Sequence, residues 1–104
     1  MLEITPTLFL DDSEIDERFV RASGPGGQNV NKVATAAELR FDVRHSPTLP
    51  ADVRARLEHL AGGALTADGV LVIDARRFRT QTQNRADALD RLVALVRRAA
   101  TPPK

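Results

Sequence analysis

The spacing of apolar and polar residues along the chain predicts three strands. Apolar and charged residues alternate over 35–44, as is typical of a strand with one buried face. Residues 14–22 alternate less regularly and predict an earlier strand, which we expect to pair with 35–44 in antiparallel fashion. The short apolar run over 70–73 predicts a third strand that is central and buried on both faces.

Two helices are predicted from apolar residues that recur at helical spacing. The first begins near Pro50 and ends at Gly62-Gly63. The second begins just after Thr80, because Thr80 and Gln83 have the spacing of a capping box. The apolar stripes are Val53, Leu57, Leu60 and Ala61 in the first helix and Leu89, Leu92, Val93 and Val96 in the second. The order is β-β-α-β-α, and we expect one small α+β domain over 1–100.

A polar segment rich in glycine lies between the first two predicted strands. It reads Ser23-Gly24-Pro25-Gly26-Gly27-Gln28-Asn29-Val30-Asn31-Lys32, with three glycines, three amides and one large apolar residue. Glycines weaken regular elements, but they permit positive φ and a close approach of the backbone to another molecule. Long connections of this kind are usually functional or disordered, so this loop is the first candidate for a site.

The spacing within the loop excludes the common phosphate-binding motifs. Asn29 stands where a dinucleotide fingerprint needs its third glycine, and Lys32 lacks the flanking Gly and Ser or Thr of a P-loop. The side chain of Gln28 has a different use, since a neutral amide can position water while its backbone N–H stabilises a developing oxyanion. Such a loop tip would position water and stabilise charge in an active site that a partner molecule supplies. A flexible surface loop without function stays open as the alternative.

Composition narrows the class of protein further. The 104 residues include no cysteine and two histidines, which argues against disulfides and metal sites, and we expect no cofactor. Six of the fourteen acids fall within 1–17, so the rest of the chain is basic and suits a polyanionic partner. The only aromatic residues are four phenylalanines, which argues against a base-stacking platform of the single-strand-binding kind. No apolar run has membrane-spanning length, and we expect a cytoplasmic protein.

The loop resembles the GGQ loop of class-I peptide-chain release factors, with Gly26-Gly27-Gln28 as its tripeptide. The similarity continues at Thr35-Ala36, Leu39-Arg40-Phe41-Asp42, Asp68-Gly69 and Arg79-Thr80-Gln81-Thr82-Gln83-Asn84-Arg85. The last stretch corresponds to Arg-Ser-Gln-x-x-Asn-Arg in relatives. A chain of this length has no room for codon-reading domains, so it is most similar to the stand-alone ArfB-type ribosome-rescue hydrolases.

The resemblance implies hydrolysis of the ester between nascent peptide and P-site tRNA on stalled bacterial ribosomes. The implied partners are peptidyl-tRNA and the large-subunit ribosomal RNA of the peptidyl transferase centre, and we expect a monomer. The implied catalytic residues are Gly26, Gly27 and Gln28. RNA contacts are expected from Lys32, Arg79, Arg85, Arg21 and Arg40. Support of the loop is expected from Ser23, Gly24, Pro25, Asn29, Asn31, Gln81 and Asn84.

Several alternatives stay open from the residues alone. Arg85 could instead form an ion pair on the helix surface with Asp87 or another nearby acid, and Arg21 and Arg40 could be solvated strand charges. The whole chain could be a non-catalytic ribosome- or RNA-binding module, or, as a weaker alternative, a free-standing esterase. The basic C-terminal tail of the rescue hydrolases would begin where this sequence stops, and we expect 101–104 to be the start of a linker to it.

Overall fold

Residues 1–21 and 34–102 are described by the computed structural model of the chain. Their strands and α-helices follow in the order β1 (Leu2–Thr5), β2 (Leu8–Leu10), β3 (Ile15–Val20), β4 (Ala36–Asp42), α1 (Ala51–Ala61), β5 (Val70–Ala75) and α2 (Gln81–Ala100). The first two strands form a small antiparallel sheet, and the other three form an antiparallel sheet in the order β3-β4-β5. The predicted α+β class is confirmed.

The central strand β4 has one face in the core, as its alternation predicts. Leu39 and Phe41 are each 1% exposed, whereas Glu38 and Arg40 on the other face are only partly buried. The predicted antiparallel pairing of the first two strands is also confirmed, because β3 pairs with β4 from Ile15 opposite Phe41 to Val20 opposite Ala36.

The prediction that β5 is central and buried on both faces is wrong. β5 lies at the edge of the sheet, where it buries Leu71 and Ile73 but leaves Val70 and Val72 only partly buried. A run of four apolar residues does not distinguish the two cases, because β-branched valines also suit a half-buried pleated surface.

The two helices lie one behind the other on the same side of the main sheet. α2 lies against β4, β5 and β1, and α1 packs against α2. The predicted stripes are confirmed: Val53, Leu57 and Ala61 are buried in α1, Leu92 and Val96 are buried in α2, and Leu60, Leu89 and Val93 pack partly buried against the same core. Neither helix of the described residues is long and apolar enough to cross a membrane.

An N-terminal hairpin of β1 and β2 precedes the predicted elements and was not anticipated. Ile4 and Leu10 are fully buried beside the helices, and the Arg97 Nε of α2 donates a hydrogen bond to the carbonyl of Ile4 at 2.9 Å. Strands of four and three residues give too few alternating positions for a periodic signal. The hairpin covers one side of the core. A domain of this size has few other residues that could cover it.

Candidate functional site

The glycine-rich loop leaves and rejoins the main sheet at one end. Val20, the last residue of β3, lies opposite Ala36, the first residue of β4. We call 20–21 and 34–36 the loop base. Residues 22–33 lie outside the described residues, and with them the predicted catalytic Gly26, Gly27 and Gln28. The same holds for the other predicted loop residues Ser23, Gly24, Pro25, Asn29, Asn31 and Lys32, whose roles stay predictions.

The segment between β5 and α2 lies at the same end of the sheet. β5 runs antiparallel to β4, so its last residue, Ala75, is opposite Ala37 near the start of β4. Thr80 then caps α2, with its Oγ1 accepting a hydrogen bond from the Gln83 N–H at 3.1 Å, as predicted. The fold therefore brings Arg21 to one end of the sheet together with three predicted residues from the far end of the sequence: Arg79, Gln81 and Asn84. Arg85 instead lies beside Glu17 in the middle of β3.

Two amide side chains of α2 bind the backbone of the loop base. The Gln81 Nε2 donates to the carbonyl of Ala34 at 2.7 Å, and the Asn84 Nδ2 donates to the carbonyl of Thr35 at 2.7 Å. Asn84 is fully buried, and it also donates to the carbonyl of Phe78 at 3.0 Å and accepts from the Phe78 N–H at 2.9 Å. One buried side chain thus joins the loop base, the segment before α2 and the helix itself.

A buried carboxylate holds two arginines beside this network. Asp87 is 7% exposed at its side chain, and it accepts hydrogen bonds from the Arg77 and Arg91 guanidiniums, each at 2.8 Å. The hydrogen bond from Arg91, helped by the charges of both guanidiniums, holds the pKa of Asp87 below its usual range, although burial alone would raise it. Arg91 also donates to the carbonyl of Asp74 at 3.3 Å, which ties α2 to the end of β5.

The four predicted RNA-binding arginines within the described residues differ in their partners. Arg85 forms an ion pair with Glu17 of β3 and not with Asp87, and Arg40 lies 3.7 Å from Glu38. Arg21 and Arg79 are exposed and form no ion pair with another described residue. An RNA phosphate would have to compete with a carboxylate for Arg85 and Arg40. It would meet no such competition at Arg21 and Arg79.

Sequence reasoning missed Arg77, Phe78 and Asp87 as parts of this end of the fold. Three arginines within 76–79 are the signal in the sequence that points to Arg77. The spacing of Asp87 and Arg91 predicts an ordinary i,i+4 helix pair, but nothing in the local pattern marks Asp87 as buried or joins it to Arg77, which is ten residues away in a connecting segment.

No serine–histidine pair forms among the described residues. His45 contacts the Asp42 carboxylate, with Nδ1 at 3.1 Å from Oδ2, and the hydroxyl of Ser46 donates to Glu14. His59 is exposed and lines a groove of about 460 Å³ between the helices, with Arg56 and Arg98. This groove lies toward the C-terminal end of α2, away from the loop base, and the described residues contain no cluster able to hold a metal ion.

Comparisons with known proteins identify the family. The RF-1 domain matches residues 3–103. The peptidyl-tRNA hydrolase ArfB of Pseudomonas putida is 51% identical over 96 residues, which cover 92% of this chain and 69% of that protein. The large ribosomal subunit protein mL62 of Mus musculus is 34% identical over 86 residues, covering 83% of this chain and 42% of that protein. Peptide chain release factor 1 of Leuconostoc citreum is 51% identical over 39 residues, or 38% of this chain and 10% of the factor. Because the family match spans nearly the whole sequence, the chain belongs to the RF-1 domain family.

Proposed function

We propose that this protein hydrolyses the ester of peptidyl-tRNA on stalled ribosomes and so releases the nascent peptide. The observation that carries the proposal is the 51% identity, over 92% of the chain, to a peptidyl-tRNA hydrolase. The sequence Gly26-Gly27-Gln28 within the matched RF-1 domain supports it, because the chemistry needs a backbone that approaches the ester closely.

The loop tip would act by geometry and hydrogen bonding. Gly26 and Gly27 leave the backbone free of side chains near the ester, and the N–H of Gln28 stabilises the oxyanion that develops as water attacks. The amide side chain of Gln28 confines the attacking water. A neutral amide takes no proton near neutral pH, so the peptidyl transferase centre and the tRNA must supply the proton transfers.

The proposed partners are the large-subunit ribosomal RNA and P-site peptidyl-tRNA, met in the cytoplasm by a monomer. Lys32, Arg79 and Arg21 would contact backbone phosphates around the tip. Arg85 and Arg40 would contribute less, because each lies within ion-pair distance of a carboxylate of its own chain. These contacts orient the domain so that the loop enters the reaction centre.

The loop base would fix the point at which the loop leaves and rejoins the sheet. Gln81 and Asn84 bind the carbonyls of Ala34 and Thr35, the first described residues after the loop. The pairing of Val20 with Ala36 fixes the other side of the same base. A misplacement of about 1 Å at a reacting group can cost roughly a hundredfold in rate, so anchoring of this kind serves the proposed reaction.

Replacement of the tip glutamine tests the proposal. We expect Gln28→Ala to fold normally and bind stalled ribosomes, but to release peptide at least about a hundredfold more slowly in single turnover, since an oriented active-site group is typically worth 10²–10³ in rate. Gln83→Ala is the matched control, because it removes the same amide from the exposed start of α2, and it should keep the wild-type rate.

Two outcomes would contradict the proposal. Equal release rates for wild type and Gln28→Ala would remove the role given to the amide. A wild-type protein that binds stalled ribosomes tightly and releases no peptide would instead be a non-catalytic ribosome-binding module.

A further inference from the structure

Phe78 is an exposed aromatic residue held on a fixed backbone beside the loop base. Its side chain lies in the segment before α2, and the residue remains 39% exposed. Its N–H and its carbonyl both hydrogen-bond to the buried amide of Asn84, at 2.9 and 3.0 Å. The two hydrogen bonds therefore fix the backbone that carries this exposed apolar ring.

The guanidinium of Arg77 lies over this ring. Its central carbon is 4.9 Å from the centroid of Phe78, and Asp87 holds the same guanidinium at 2.8 Å from its carboxylate. Because Asp87 is almost completely buried, it holds the Arg77 guanidinium against the protein surface. The result is a planar cation and an aromatic ring already in contact, the two kinds of surface on which unpaired nucleic-acid bases stack.

The surroundings favour RNA as the occupant. Three of the four residues over 76–79 are arginines, and Arg79 forms no ion pair with another described residue. Asp74 and Asp87 balance Arg76 and Arg77, so Arg79 and the nearby Arg21 carry the positive charge that attracts a polyanion. An apolar protein partner is disfavoured, because it would have to desolvate the guanidiniums. Phe19, which is 40% exposed and precedes Val20 at the end of β3, adds a second aromatic residue at the same end of the sheet.

We propose that Phe78, with Arg77 against it, is a stacking site for one unpaired base of ribosomal RNA. The inference rests on the proposed function, which brings this end of the domain to the ribosome, and it adds a contact to a base where the proposed function has only phosphate contacts. A chain with four phenylalanines has no platform for several bases, but one base needs only one ring. The contact is tolerant of base identity, because every base has a π-face.

A photoreactive residue at position 78 identifies the occupant. A phenylalanine carrying a diazirine replaces Phe78, and the variant is irradiated on ribosomes with deacylated tRNA in the P site, so that no hydrolysis is needed. We expect crosslinks to ribosomal RNA. The same residue in place of Phe9 is the control, since Phe9 is 36% exposed but belongs to the other sheet, and it should give few RNA crosslinks. Crosslinks to ribosomal protein alone, or equal RNA crosslinking from both positions, would overturn the inference.

A substitution series then separates stacking from packing. Phe78→Leu keeps an apolar side chain but has no planar ring, and we expect it to raise the ribosome concentration that gives half-maximal release by about tenfold, with the rate at saturation unchanged. Phe78→Tyr and Phe78→Trp should restore wild-type affinity. If Phe78→Leu binds as tightly as wild type, the ring has no stacking role.

The two proposals fail in different ways. Wild-type release together with unchanged affinity in Phe78→Leu would overturn the stacking site and leave the hydrolase intact. Crosslinking of position 78 to ribosomal RNA, together with no release by wild type, would overturn the hydrolase and leave the RNA contact intact.

Discussion

The buried amide of Asn84 is the residue on which the loop base most depends. Its amide group makes three hydrogen bonds, to the carbonyls of Thr35 and Phe78 and from the N–H of Phe78. The sequence predicts an amide with a supporting role near the loop, since such side chains often bind backbone groups. The partners themselves could not be predicted, because Thr35 is 49 residues away and is reached only once β4 and α2 have packed together.

We expect Asn84→Ala to lower the free energy of unfolding by about 1–3 kcal/mol, since it leaves the partly buried N–H of Phe78 and carbonyl of Thr35 without their partner. The change is measured by urea unfolding, with Thr82→Ala as the control at an exposed position of the same turn. Asn84→Asp keeps an acceptor for the Phe78 N–H but loses both donors, so it should be destabilised as well. A loss below about 0.5 kcal/mol in Asn84→Ala would show that the network is not stabilising.

The buried carboxylate of Asp87 predicts a pH dependence. Because its pKa is lowered in the folded protein, Asp87 contributes stability above its unfolded pKa of about 3.9, and this contribution is lost as the pH falls through the lower folded value. The free energy of unfolding of wild type should therefore exceed that of Asp87→Asn at pH 7, and the difference should shrink in acid, below about pH 4.

Unfolding curves of wild type and Asp87→Asn at a series of pH values measure this difference. Asp90→Asn, at an exposed position of the same helix, controls for the loss of one charge from α2. A difference between wild type and Asp87→Asn that stays constant down to pH 2 would contradict the role given to the two arginines.

At the scale of the elements, a helix or strand was predicted correctly where its own sequence carries a periodic pattern or a cap. The stripes of α1 and α2 repeat every three or four residues and were predicted correctly, as was the cap at Thr80. The burial of β5 was predicted wrongly, because the position of a strand in a sheet is set by its neighbours. The hairpin of β1 and β2 was missed, because its strands are too short for periodicity to appear.

The turn before β5 gives a test at this scale. Gly69 has φ of +85°, and a Cβ placed there would lie 2.6 Å from the Cβ of Arg44. Gly69→Ala should therefore be destabilised by more than the roughly 1–2 kcal/mol of left-handed strain alone. Its carbonyl also accepts from the N–H groups of Val43 and Arg44, so a shift of the turn would disturb the chain that follows β4.

Gly63→Ala is the matched control for the turn. A Cβ at Gly63 meets no atom within 4 Å, and its φ is not in the left-handed region, so alanine there should be neutral or stabilising by up to about 1 kcal/mol. Thermal and urea unfolding measure the free energies of unfolding of Gly69→Ala and Gly63→Ala. Equal stability of both would mean that the turn has another conformation in solution.

At the scale of the whole molecule, Arg21 and Arg79 place exposed positive charge at the loop end, with no carboxylate partner among the described residues. On the open face of the sheet, ion pairs join Arg18 to Asp16, Arg40 to Glu38 and Arg76 to Asp74. The basic character of the chain after residue 17 was visible from composition. Which arginines pair with a distant carboxylate was not, since Arg85 meets Glu17, 68 residues away, only once α2 has packed on the sheet.

The salt dependence of ribosome binding tests this arrangement. Arg79→Ala should weaken binding and reduce the slope of log affinity against log salt by about one, as expected for one lost phosphate contact. Arg98→Ala removes the same charge near the other end of α2, about 25 Å along the helix, and should leave the slope unchanged. Identical slopes for Arg79→Ala and wild type would exclude a direct phosphate contact at Arg79.

The most direct test of the whole account compares release of a labelled peptide from peptidyl-tRNA bound in the P site of stalled ribosomes with release from the same peptidyl-tRNA free in solution. Because the domain is proposed to bring geometry and no acid or base, we expect rapid single-turnover release on ribosomes and release no faster than the uncatalysed reaction without them. Equally efficient hydrolysis in the absence of ribosomes would contradict the account and identify the protein as a free-standing esterase.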